Sequence, residues 1–104
     1  MENKKPFYVD IKKSTNQNKK LMAIFYNKDK QKIKTVHFGQ FGASDYTQHK
    51  SIERRNLYDN RHKKNEDWDN PQTAGALAKW ILWGEPTLSA SINNFLKKFN
   101  LKKY

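Results

Sequence analysis

Residues 38–64 read FGQFGASDYTQHKSIERRNLYDNRHKK, a turn carrying two glycines followed by a stretch crowded with positive charge. The period of the chain changes here. Upstream, apolar residues alternate as strands require; downstream, they recur at helical spacing. Read as one helix, residues 50–64 put Lys50, Arg54, Leu57, Arg61 and Lys64 on a single stripe. All but Leu57 are cationic, over about 21 Å of axis at roughly 1.5 Å per residue. Such a stripe repels itself and suits a polyanion, provided that its cations face solvent together and are not neutralised by carboxylates.

Upstream, Phe7, Val9 and Ile11 alternate with Tyr8, Asp10 and Lys12, the pattern of a strand with one buried face. Residues 14–20 (STNQNKK) form a polar loop, and residues 21–26 (LMAIFY) are apolar on both faces, as a central strand is. A turn at residues 27–30 leads to a third strand over residues 33–38. Gly39 and Gly42 then suit a turn with positive φ. Their spacing could also present N–H groups to a phosphate, but a plain turn is the simpler reading. Ser44, Asp45 and Thr47 all qualify as caps for the helix that follows.

Downstream, residues 65–72 form an acidic loop around Trp68, and Thr73 caps an almost wholly apolar helix over residues 74–83, with Lys79 its lone charge. Gly84 and Pro86 end that helix, and Thr87 caps the next. There Leu88, Ile92, Phe95, Leu96 and Phe99 share one face. The tail after Leu101 is expected to fray. The fold predicted is α+β: a three-stranded antiparallel β-meander followed by three α-helices, the second buried between the sheet and the third.

The 104 residues suffice for one domain, residues 1–104, with a modest core. Hydrophobic residues make up only 36%, but Phe 6, Trp 3 and Tyr 5 supply large buried areas. The charge is uneven. Residues 1–64 hold 16 basic and 6 acidic side chains, net +10, and the remainder 5 and 4, net +1. The anion-binding candidates therefore lie in the first two-thirds, although a Lys-rich solubilising surface is the plainer reading of such a balance. Lys outnumbers Arg heavily, so backbone charge would be read more than base sequence. Absence of cysteine excludes disulfides and thiolate metal sites and fits a reducing setting. No apolar run approaches a membrane span, and the start lacks a secretion signal, so no membrane partner is expected.

Three segments, FGQFGASDYTQHK, YDNRHKKNEDW and TAGALAKWILWGEPTLSASI, match the patterns FGxxGxSDYTxHK, RHxxNExW and TAGxxxxWxLWxxPTLxxSI. Over residues 36–99 the chain thus resembles a family of small uncharacterised proteins encoded by nucleocytoplasmic large DNA viruses, the giant viruses, and by some algae. Ala76 departs from it, since a bulky aromatic often follows the glycine at that place. The family brings no activity. The resemblance implies a viral protein that meets DNA, located in the virion or in the viral factory of the host cytoplasm.

Asp45, Tyr46, Thr47, His49, His62 and Glu66 form a polar cluster expected to be a structural hydrogen-bond network tying the loop to the basic helix. A metal-dependent nuclease using His49, Asn60 and His62 is the competing reading, but it lacks the cysteine or carboxylate framework such a metal needs. No catalytic residue, metal or cofactor is therefore assigned. Trp80 and Trp83 are expected in the core, whereas Trp68 suits either packing or base stacking. The function expected is binding of nucleic acid, double-stranded DNA first, without sequence specificity, in a packaging or coating role. The residues assigned to it are Lys50, Arg54, Arg55, Arg61, Lys63 and Lys64, with Lys32 and Lys34 outlying. The alternative is a structural or adaptor protein of the virion that binds an acidic protein partner or itself as a homo-oligomer.

Overall fold

A computed structural model of the protein describes residues 5–64 and 66–104. Asn65, which begins the predicted acidic loop, and the MENK start lie outside them. Strands β1 (Tyr8–Lys13), β2 (Lys19–Tyr26) and β3 (Lys32–Gln40) pair antiparallel in chain order. The register Val9↔Phe25 and Leu21↔Phe38 gathers Val9, Ile11, Leu21, Ala23, Phe25, Val36 and Phe38 on one face, because side chains alternate along a strand. The helices cover that face.

The sheet is mixed, which corrects the pure three-stranded meander. A fourth strand, β4 (Lys102–Lys103), pairs parallel with β1, giving the order β3-β2-β1-β4. The predicted fraying of the tail is corrected with it. Helix α4 (Leu88–Lys98) ends in a Schellman motif: Asn100 takes φ 53°, its N–H donates to Lys97 O, and Leu101 N–H donates to Leu96 O at 2.9 Å. This reversal sends the chain back along β1. Leu101 is buried in the core, and Tyr104 stacks on Tyr26 at 3.6 Å.

The helix predicted over residues 50–64 is present but shorter, as α2 (Ile52–His62), and a separate helical turn precedes it, which makes four helices among the described residues in place of three. Helix α1 (Tyr46–His49) is capped by Asp45, whose carboxylate accepts from Thr47 N–H while Gln48 Oε1 accepts from Asp45 N–H. Lys50 then adopts the left-handed conformation, φ 57°, and stops that turn. Ser51 accepts from Arg54 N–H and starts α2 (Ile52–His62). Lys50 is therefore off α2, and Lys63 and Lys64 follow its end.

Helix α3 (Ala74–Leu77), capped by Thr73, runs on as a π turn over Ala78–Leu82, closed by Trp83 N–H donating to Ala78 O at 3.1 Å. Gly84 must follow this wide turn, since a Cβ there would stand 2.3 Å from the Trp80 carbonyl oxygen. The segment lies between β3 and α4. Leu77, Ile81 and Leu82 meet Val9, Ala23, Phe25 and Phe38 of the sheet, and Phe95 of α4 completes the core with Leu101.

Candidate nucleic-acid interface

The functional candidates are arranged around a column of rings. Trp83 stacks on Tyr58 at 4.4 Å and 5°, Tyr58 on His62 at 4.3 Å, and His49 leans on Trp83 at 5.3 Å. The column exists because Tyr58 and His62 lie one turn apart on α2 while Trp83 closes the π turn opposite them. His49 and His62 are thus separated by two rings. The pairing that the nuclease reading needs is not assembled, and no group of three metal-ligating side chains occurs among the described residues.

Each end of the column has its own polar cluster, so the predicted network is divided in two. At one end Asp45 is buried, its carboxylate accepting from Thr47 and from Lys20 Nζ at 2.6 Å. At the other, Glu66 faces His62 Nδ1 at 3.1 Å and accepts from Trp68 Nε1 at 2.9 Å. Tyr46 is buried with the Arg55 guanidinium 5.3 Å above its ring. His49 Nδ1 accepts from Ser51 N–H, so Nε2, buried without a partner, carries the proton of a neutral ring. Burial, then the Arg54 charge, lowers the His49 pKa. Burial, then Glu66, pushes the Tyr58 phenol well above its ordinary value.

Between the two clusters opens a cleft of about 460 Å³, bounded by the end of β3 at Gly39 and Gln40, the start of β2 at Lys19 and Lys20, and α2. Arg54 and Arg61, seven residues apart and so two turns apart on one face of α2, line it together. Arg54 donates to Ser44 Oγ at 3.0 Å. Arg54, Arg61, Lys63 and Lys64 form no ion pair among the described residues, and the acids of the cleft are already engaged. In the loop 39–43 the N–H groups of Phe41 and Ala43 are already engaged, donating to Asn18 O and Gln40 O.

The predicted stripe is only partly gathered. Lys50 reaches away to donate to Pro86 O at 2.8 Å. Arg55 faces the other side of α2, toward Lys79, Trp80 and Glu85. Lys32 and Lys34 occupy the start of β3, and the cleft lies at its other end, about 15–25 Å along the strand at roughly 3.3 Å per residue. Sequence reasoning missed Lys19, assigned to a loop, and Tyr58 as a member of the column. The Asp45-x-x-Gln48 capping pattern was a readable signal for a helix start at Asp45.

A model of a family of unknown function (DUF5754) matches residues 9–62 of the 104. The chain belongs to that family. The matched region runs from within β1 to the end of α2 and so includes the sheet wall and the Arg54 and Arg61 wall of the cleft, while Trp83 lies beyond it. No curated protein and no solved structure matches the chain.

Proposed function

We propose that the protein binds nucleic acid through the cleft and the end of α2, holding the phosphate backbone without reading bases. The observation that carries this is the pair Arg54 and Arg61, which line one open cleft and form no carboxylate ion pair among the described residues. Lys19 on the opposite wall and Lys63 and Lys64 beyond α2 bring the cations to about five. Lys20 is left out, since Asp45 neutralises it. The resemblance to proteins of giant viruses favours double-stranded DNA as the polyanion and a packaging or coating role in the virion or viral factory.

The test compares two double variants by anisotropy titration of a labelled DNA duplex. Arg54→Ala with Arg61→Ala should reduce the steepness of log K against log[salt] by about 2, roughly 1 per lost phosphate contact. Lys32→Ala with Lys34→Ala should leave it unchanged. Equal losses in both would mean diffuse attraction by the whole surface.

A further inference from the structure

The cleft does not end at Lys19 and Lys20. Those two residues, with Ala43 and Ser44, also wall a second hollow of about 540 Å³, which lies between the loop joining β1 to β2 and the loop that follows β3. Arg54 donates to Ser44 Oγ at 3.0 Å and so stands at the boundary of the two. Lys13 and Lys19 line the second hollow and form no ion pair among the described residues. None of its lining residues is Asp or Glu, so its field is positive.

The one large apolar side chain in this hollow is Phe41, 66% exposed, whereas the other five phenylalanines of the chain are buried or half-buried. A lone exposed ring is ordinary on a protein surface, but the backbone under this one is tied down. Phe41 N–H donates to Asn18 O at 3.1 Å and Ala43 N–H to Gln40 O at 3.2 Å. Gly39, at φ 80°, has Leu82 Cδ1 2.7 Å from where a Cβ would stand, which fixes the exit from β3. Only the side-chain torsions of Phe41 remain to be ordered on binding, a small entropic cost. Gln17, exposed on the other loop, adds an amide donor and acceptor to the same hollow.

We infer that this hollow takes the base of an unpaired nucleotide. The strand's phosphates follow Arg61, Arg54 and Lys19 out of the cleft, and the next base lays its face on the Phe41 ring beside Lys13. Base capture here rests on the nucleic-acid reading of the cleft and gives it a substrate class: a strand with unpaired nucleotides, whether single-stranded or the overhang of a duplex. In a blunt duplex the bases are stacked on one another, and Phe41 finds no free face. Every base has a π face, so the contact tolerates any sequence.

The test is anisotropy titration with three labelled probes: an oligothymidylate of about 12 nucleotides, an abasic strand of the same length and a blunt duplex. The oligothymidylate should bind about tenfold more tightly than the abasic strand, which carries the same phosphates without bases. Phe41→Ala should abolish that tenfold without changing the steepness of log K against log[salt] or the binding of the other two probes, and Phe41→Trp should keep it. Arg54→Ala with Arg61→Ala should instead lower the salt dependence for all three. Duplex binding with the expected salt slope, but equal oligothymidylate affinity for the unaltered chain and Phe41→Ala, would overturn base capture and leave the cleft reading standing. No binding of any probe would overturn both. Equal losses on all three probes in Phe41→Ala, or self-association by light scattering that this variant abolishes, would assign the ring to packing or to a second copy and overturn base capture as well.

Discussion

Asp45 and His49 show how single residues fix the approach to α2. Asp45 caps α1 and neutralises Lys20 at once, so Asp45→Ala removes a cap and leaves a half-buried ammonium with Gln48 alone. The expected cost is roughly 2 kcal/mol, or about 10 °C in Tm, read by thermal denaturation. His49 has its pKa lowered in the folded protein, whereas the unfolded chain takes up protons near the ordinary value of about 6.5. Below that value the unfolded state binds more protons, so this contribution to stability is full above it and declines as pH falls toward the folded pKa. Tm should therefore drop on acidification from about pH 7.5 to 5, and His49→Asn, whose side-chain oxygen can replace Nδ1, should flatten that decline. An unchanged slope in the variant would contradict the assignment. Asp45 was readable as a helix cap from the sequence, but its burial against Lys20 was not, because the two lie 25 residues apart and only the β2–α1 contact joins them.

One buried charge joins α2 to the π turn that continues α3. Lys79 donates to Asp59 at 2.8 Å and lies over the Trp68 and Trp80 rings. Asp59→Ala leaves that ammonium buried without its carboxylate and should cost about 2 kcal/mol, whereas Lys79→Met keeps the volume, discards the charge and should cost far less. Equal losses in urea denaturation would mean that the contact is packing alone. The strands β1 to β3 and the segments starting at Thr73 and Thr87 were legible because alternation and capping are local signals. The break at Lys50 and strand β4 were not so evident. A left-handed Lys goes against propensity, and a two-residue strand is defined only by its neighbour β1. The cation stripe followed from treating residues 50–64 as one helix, and it shortened because Lys50 ends α1 and α2 covers only Ile52–His62.

Across the whole molecule, charge divides more sharply than shape. The first 64 residues carry net +10, yet only part of that charge meets in the cleft, because α1 turns Lys50 toward Pro86 and Arg55 lies over Tyr46. The C-terminal third contributes the packing that holds α2: Trp83 against Tyr58, Lys79 against Asp59, and the core residues Leu77, Ile81 and Phe95 beneath. The proposed grip of about five cations on a phosphate backbone is read by duplex DNA binding of the unaltered chain at a series of salt concentrations, where log K should fall linearly with log[salt] with a slope near −4 to −5. A flat response, or no binding at the lowest salt, would contradict it.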